Sequence, residues 1–368
     1  MKDLLTASLL ATFRRCRRQH FYRNELRLVR DRDEAPRRIG SAFHLGLELK
    51  NKGLLPEDEC IEQAVAGYAT CPEWMDPTEW AVEAETVRVL LAGHFWRYGG
   101  DELAVVACET TWQCPLRHPT TGRRHRTFDL AGKDDLIARL PDTRLAVVEY
   151  KTAGEDIGPD AAYWLRLRGD PQISQYVVGA RANGHDVATV WYDVTRKPTI
   201  RPKKLTQAES DEFLRTGAYF AAAFTVEAGT DTNTADPADG GPWVKVDGER
   251  VEIEVGAKGR VSVRETPEMY GARLLDDIGQ RPDYYYQRRE VPRLDADLDE
   301  FRLEVWQQAE SLKNTRRRGL WYRNVGRLTC DYCDYSGLCL QSVKVDPVSP
   351  PTGFKVLATA HPELETSE

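Results

Sequence analysis

The stretch VVEYKT at 147–152 alternates in the manner of a β-strand. Strand side chains point to alternate faces, so Glu149 and Lys151 share one face while Tyr150 takes the other, setting a carboxylate beside an ammonium. An exposed strand often carries such a pair, and alone it says little. GKDD at 132–135 ends fourteen residues before Glu149 and, one β-hairpin away, can bring Asp135 or Asp134 alongside it. Two carboxylates converging on one point are a hard-oxygen site for Mg²⁺ or Mn²⁺, and a neighbouring lysine can orient or deprotonate a water and offset phosphate charge. That is the equipment of metal-assisted phosphodiester hydrolysis. Glu109, in VVACETTW, could reach the same sheet edge or be an ordinary strand carboxylate.

A second group is LTCDYCDYSGLC at 328–339, which sets Cys330, Cys333 and Cys339 close together in a chain of eight cysteines. Three thiolates suit zinc or an iron–sulfur cluster equally by softness, and a tetrahedral site wants a fourth ligand. Cys60 falls in an amphipathic helix, Cys71 in a loop, and Cys108 and Cys114 on a strand committed to the sheet. Cys16 stands in FRRCRRQHFY, a short helix whose flanking arginines favour a thiolate.

The elements that must position these groups change character near residue 103. Before it the chain reads as helices: Thr6 or Ser8 can cap LLATFRRCRRQHFYRN, Gly40 precedes SAFHLGLELKNKG, and Pro77 starts a long amphipathic helix. After it come LAVVACETTWQC, RTFDLAGKDDLIARL and RLAVVEYKT, β-rich and separated by the turns HPTTG and PDT; then a helix over DPQISQYVVGARANG, and the strand-like DVATVWYDVT. This order predicts an α/β fold with a mixed central sheet flanked by helices. A helical stretch is expected around 207–226, followed by the polar loop EAGTDTNTADPADGGPW and a hairpin turning at Asp247-Gly248. The expected division is a helical region 1–100, a core 101–226, a β-hairpin insertion 227–265, C-terminal helices with the cysteines 266–343, and a surface tail 344–368.

At 368 residues, 41% hydrophobic and 30% charged, the chain can bury at least one sizeable core. No run approaches the roughly 18 apolar residues of a membrane span, and arginines occupy the place of a signal-peptide cleavage site, so no membrane association and a cytoplasmic location are the default expectation. Scattered cysteines do not read as a disulfide framework; in a reducing compartment clustered ones more often mean metal. The net charge of −7 argues against a chain coated in nucleic acid. Basic runs at 14–38, 195–204 and 313–319 nevertheless keep a phosphate-backbone partner open.

Taken together, these motifs resemble the PD-(D/E)XK nuclease superfamily, in particular its RecB-type branch with an iron–sulfur cluster, which includes CRISPR-associated RecB-like exonucleases. GSAFHLGLE looks like the first motif, implying His44 as a metal ligand. GKDD looks like the second, whose Gly-x-x-Asp register selects Asp135 over Asp134. EYK looks like the third, implying Glu149 as ligand, the Tyr150 carbonyl as a further one, and Lys151 as catalytic. QISQY looks like the helical motif of this branch, implying that Gln172 and Tyr176 support the lysine and the DNA. A Pro-Asp pair is absent. The resemblance implies a restriction-endonuclease-like core and a Mg²⁺- or Mn²⁺-dependent DNA exonuclease acting on single strands or ends. It also implies a [4Fe–4S] cluster held by Cys16, Cys330, Cys333 and Cys339, with zinc as the alternative occupant.

Tying residue 16 to residue 330 closes a loop worth on the order of 5 kcal/mol in the chain-entropy picture. Such a clasp could hold the basic N-terminal helix and TRRRGLWYRN around the sheet, where Trp321 and Tyr322 either stack on a strand or pack in the core. No Gly-x4-Gly-Lys-[Ser/Thr] loop occurs, so any strand-separating helicase must be a partner; a recombination or CRISPR protein is another expected partner. Repair, recombination, CRISPR adaptation and a mobile-element role are all compatible with the sequence. The rival reading is a non-cleaving, cluster-stapled DNA-binding or scaffold protein.

Overall fold

The structure is a computed structural model and describes residues 2–101, 103–230, 241–256 and 259–365. Most of the loop expected over 227–243 lies outside these residues. Among the described residues no helix is long and apolar enough to cross a membrane.

The chain opens with β1 (Asp3–Leu5) and α1 (Ala7–Arg15), which Thr6 caps by accepting from the Leu9 N–H at 3.3 Å. The single helix expected here is broken. Cys16 is extended (φ −162°, ψ 124°), and the chain restarts as α2 (Arg17–His20) and a π-turn over Phe21–Glu25. No Gly or Pro marks that break. After β2 (Leu28–Arg30), α3 covers Ala35–Lys52, starting five residues before Gly40 because Pro36 suits a helix's first turn. Gly40 lies inside it, where a Cβ would stand 3.2 Å from the Thr152 hydroxyl, so glycine lets α3 lie close on the sheet. Helices α4 (Glu57–Val65) and α5 (Pro77–Tyr98) complete the helical region.

The sheet strands follow as β3 (Ala104–Arg117), β4 (Arg124–Arg139) and β5 (Leu145–Ala153). HPTTG and PDT make their two turns, with positive φ at Gly122 and Thr143. Then come α6 (Ala162–Arg168), α7 (Pro171–Ala182), β6 (Val187–Arg196) and α8 (Gln207–Thr216). The helix expected to reach 226 stops at Gly217, whose φ of 66° gives it a left-handed cap. Beyond it, β7 (Ala218–Tyr219) pairs with β8 (Ala222–Ala223), and β9 (Val226–Thr230) with β10 (Pro242–Val246). Strand β10 turns at Asp247-Gly248, both at positive φ, into β11 (Glu249–Arg250), as the dipeptide predicts. A second pair, β12 (Ile253–Val255) and β13 (Val261–Val263), precedes α9 (Pro267–Gln280), α10 (Pro282–Tyr285), β14 (Tyr286–Glu290) and the long α11 (Asp295–Arg318). The cysteine segment forms α12 (Arg327–Cys330) and α13 (Ser336–Leu340). The expected tail supplies β15 (Phe354–Val356), which pairs antiparallel with β2.

The central sheet has the order β1-β4-β5-β6-β14, with β3 on the far edge of β4. It is mixed, as expected: β1 runs parallel to β4 and β5 to β6, and the remaining pairs are antiparallel. Alternation along β4 and β5 sends Leu136, Ala138, Val148 and Tyr150 into one apolar layer with α3, α5 and α9. Ile137 and Val147 go into the opposite layer with α6 and α7. Both faces of β5 are therefore covered, which is why a strand carrying Glu149 still reads as largely apolar.

Strand β4 pairs with β3 along nearly its full length, from Arg117↔Arg124 to Ala104↔Arg139. Its other edge is shared by two strands, β1 opposite Phe128–Leu130 and β5 opposite Leu136–Arg139. Between them, residues 131–135 have no strand neighbour on that edge among the described residues. Buried backbone carbonyls left unpaired are costly, and Gln175 of α7 closes this gap. Its side-chain amide donates to the carbonyls of Leu5 at 2.8 Å and Ala131 at 2.9 Å. Helix α7 can approach because its Gly179 faces the Trp112 ring, into which any Cβ would run.

Candidate active site and cysteine cavity

The gap in the sheet is where the charged residues meet. Asp135, at its end, accepts a hydrogen bond from the Tyr150 backbone N–H at 3.0 Å, so β5 leaves β4 just as it reaches Glu149. Lys151 Nζ donates to Glu149 Oε1 at 2.9 Å and to Gln172 Oε1 at 3.1 Å, and the Gln172 amide donates to the Tyr176 hydroxyl at 2.9 Å. His44, on α3, brings Nδ1 to 4.0 Å from Asp135 Oδ2. Tyr150 turns to the opposite face, and its hydroxyl accepts from Asn51 Nδ2 at 3.0 Å. Asp134 points away from the cleft, and its carboxylate accepts from Trp112 Nε1 at 3.0 Å. Glu109 lies at the cleft and is paired with Lys133.

Part of this group opens onto a cleft of about 710 Å³, whereas Glu149 is buried and neither it nor Lys151 is among the residues lining the cleft. His44, Glu109, Asp135, Gln172 and Tyr176 line it, with Thr6, Ala7, Ser8 and Glu363 at one end. Two contributors carry little sequence signal. Asp170 caps α7 by accepting from the Gln172 N–H at 3.0 Å and stands 3.9 Å from Lys151, which anchors both motif residues. The Asp-Pro-Gln start of that helix is its trace in the sequence. Glu363 comes from the expected tail, and nothing local marks it.

Burial shapes the electrostatics. It pushes the Asp135 carboxyl up to about 7, helped by the Glu109 carboxylate. Burial likewise pushes Glu149 up to about 7, although Lys151 pulls the other way. On Lys151 burial acts downward, but Glu149 and Asp170 outweigh it and hold the ammonium above its ordinary value. These two acids thus favour the cationic form of the lysine in the metal-free site. Burial keeps the His44 imidazole below its usual value, hence neutral and able to ligate.

Among the described residues no group of three or more His, Cys, Asp or Glu is drawn together tightly enough to hold an ion as it stands. The donor set nevertheless suits one. Glu149 Oε2 is buried without a hydrogen-bond partner, and carboxylates with one imidazole match Mg²⁺ or Mn²⁺.

At the far side of the N-terminal helices, Cys16, Cys330, Cys333 and Cys339 line a single cavity with Arg18, Gln19 and Tyr22. The extended backbone at Cys16 is what breaks the helix and turns this residue inward. Its sulfur accepts from the Asn324 N–H at 3.4 Å, and the two chain ends are joined further by Arg18 N–H to Tyr322 O at 3.1 Å and Asn324 Nδ2 to Arg15 O at 2.9 Å. The other cysteines are elsewhere: Cys60 on α4, Cys71 before α5, Cys108 and Cys114 on β3. All eight are free thiols. Trp321 packs against His20 and Phe21, whereas Tyr322 is exposed.

A carboxyl titrating near 7 must give up its proton before it ligates. Both folded values lie above the ordinary carboxylate range of about 4, so the stability these two groups lend the metal-free fold is full below that range and is lost as pH rises through 7. Metal binding reverses that loss. Mn²⁺ affinity measured by calorimetry therefore rises between pH 6 and pH 8, by about tenfold in all for each carboxyl that must lose its proton, and levels off above that; an affinity independent of pH contradicts the assignment.

The family model of the PD-(D/E)XK nuclease superfamily matches residues 4–340, from β1 through the cysteine segment. Among solved structures, one titled "Crystal structure of SSO0001" is 14% identical over 51% of this chain and 71% of that one, with a TM-score of 0.20, a likeness too loose to bear on the fold. No curated protein matches the chain. With the family match spanning nearly its whole length, the chain belongs to the PD-(D/E)XK nuclease superfamily.

Proposed function

We propose that the cleft hydrolyses DNA phosphodiesters, as an exonuclease on single strands or ends, with a divalent ion held by His44, Asp135, Glu149 and the Tyr150 carbonyl. The observation that carries this reading is the buried, unpartnered Glu149 Oε2 beside a Lys151 ammonium held by two hydrogen bonds, to Glu149 and Gln172. When bound, Mg²⁺ or Mn²⁺ supplies Lewis-acid activation of water and of the phosphodiester. The chain's own residues do the positioning. Lys151, fixed by Glu149, Gln172 and Asp170, keeps its ammonium at one place and can neutralise charge that accumulates on the phosphate oxygens. Gln172 bridges Lys151 to Tyr176, so the lysine keeps its rotamer on the helix side as well.

Cleavage of end-labelled single-stranded and duplex DNA with Mg²⁺ or Mn²⁺, comparing wild type with Lys151→Ala, tests this. The variant should lose at least about a hundredfold in rate, the worth of one transition-state charge contact. Equal cleavage by both proteins rules out the assigned site, and cleavage by neither favours the scaffold reading.

The cysteine cavity supports a RecB-type protein with a [4Fe–4S] cluster on Cys16, Cys330, Cys333 and Cys339. Four cysteines, one from the N-terminal segment and three from the C-terminal one, line a single cavity. A group bound there would clasp the basic helices of the two segments, with zinc as the alternative occupant. Repair, recombination, CRISPR adaptation and a mobile-element role are all compatible with this reading, and any strand-separating helicase would be a partner protein. Anaerobically purified protein should be brown with broad visible absorption, and Cys330→Ser should lose both; a colourless, zinc-containing protein rules out the cluster.

A further inference from the structure

The two segments that meet at the cysteine cavity are charged against the trend of the chain. Residues 7–24 carry five arginines and no acid, and residues 311–343 carry six basic and two acidic residues, in a protein of net charge −7. Of the two acids, Asp331 is met by Arg327 at 3.7 Å. Arg15, Arg17 and Arg323 have no carboxylate partner among the described residues. Arg15 donates to the Tyr332 carbonyl at 3.3 Å, Arg17 to the Phe13 carbonyl, and Arg323 to the Cys339 carbonyl at 3.0 Å and the Ser342 hydroxyl at 3.1 Å. Neutral acceptors hold these guanidinium groups in place and leave their charge uncancelled.

The same surface leaves aromatic rings in the open. Trp321 packs on His20 and Phe21, and Tyr335 is buried with its hydroxyl donating to the Leu28 carbonyl at 2.6 Å. Tyr322 and Tyr332 stay outside, 60% and 75% exposed. Each stands beside one of these arginines: the Arg17 guanidinium lies 5.6 Å from the centre of the Tyr322 ring, and Arg15 is bound to the backbone of Tyr332. Val325 and Leu328, between the two tyrosines in sequence, are exposed as well. Helix α1 links this surface to the cleft. Thr6, Ala7 and Ser8 line one end of the cleft where the helix starts, and the helix ends at Arg15. At 1.5 Å per residue its length is about 14 Å, a path of a few nucleotides.

We infer that this face, carried by Arg15, Arg17, Arg323, Tyr322 and Tyr332, is a docking surface for a single nucleic-acid strand on its way to the cleft. The inference rests on the nuclease reading of the cleft. Uncancelled arginine charge calls for a polyanion, and open tyrosine rings call for flat π-faces to stack on. A duplex keeps its bases stacked on one another, and an acidic protein surface offers no row of flat faces, so an unpaired strand meets both demands. Every base has a π-face and phosphate contacts carry no base information, which makes the surface indifferent to sequence. The junction of the two segments thereby gains a purpose. Arg15 and Arg17 come from the N-terminal one and both tyrosines from the C-terminal one, so the surface exists only while the cysteine cavity holds them together.

The test is fluorescence anisotropy of a labelled single-stranded oligonucleotide titrated with the full chain in EDTA, where no cleavage confuses the readout. Tyr322→Ala and Tyr332→Ala should each weaken binding at least about fivefold, the worth of one stacked base. Tyr322→Phe keeps the ring and should stay within about twofold of wild type. Trp96→Ala removes a ring that is 62% exposed on α5, away from this face, and should also stay within about twofold. Arg15→Ala should lower the slope of log affinity against log salt by about 0.7, one phosphate contact. Should an alanine variant melt early, Tyr322→Leu or Tyr332→Leu keeps apolar bulk without a flat ring and should weaken binding as alanine does. Binding unchanged by both alanine variants, an equal loss with Trp96→Ala, or no binding by any form overturns the surface and leaves the cleft's own cleavage assay untouched. Tyrosine-dependent binding by a protein that never cleaves would sink the nuclease reading alone.

Discussion

The cleft depends on one constraint: a single edge of β4 is shared by two strands that do not meet. Had β5 paired along the whole edge, Asp135 would be shut inside a continuous ladder. Because β1 takes Phe128–Leu130 and β5 takes Leu136–Arg139, the sheet forks at the acidic residues. Two side-chain–backbone bonds make the fork tolerable, Gln175 to the carbonyls of Leu5 and Ala131 and Asp135 to the Tyr150 N–H. Two residues of α7, one turn apart, thus serve different ends: Gln175 repairs the backbone, and Gln172 fixes the lysine. The helix holds both in register because Asp170 caps it and Gly179 lets it lie against Trp112.

The chain also spends ion pairing and burial in opposite ways on its acidic residues. Asp193 is buried too, but it is met by His94 and Arg288 and its carboxyl is held below the ordinary range. Asp135 and Glu149 are buried with less compensation and are held above it. The first arrangement is a satisfied structural knot. The second leaves a site whose ionised form wants more positive charge than the protein itself provides, which is how a structure is prepared for a cation.

Much of this was legible where the signal is local. The period of two in VVEYKT sets Glu149 and Lys151 on one face of β5 because strand side chains alternate, and Asp247-Gly248 turns a hairpin because both residues accept positive φ. The choice between Asp134 and Asp135 was not legible from periodicity without the family register; in space the two part because Trp112 claims Asp134. Long-range features left no trace. Strand β1 has three residues, β15 pairs across more than 300 positions, and Gln175 and Glu363 act on partners far away in sequence. The break at Cys16 was also invisible. No helix breaker stands there, yet the residue is extended and lines the cavity it shares with the other three cysteines.

The forked edge of β4 is the divalent-cation site we propose. Crystals soaked in Mn²⁺ and measured at the manganese absorption edge test it directly. An anomalous peak among His44, Asp135, Glu149 and the Tyr150 carbonyl, with Lys151 Nζ still bound to Gln172, is the predicted result. A peak confined to other acidic surfaces, or none in the cleft at saturating Mn²⁺ and pH 8, would contradict the account.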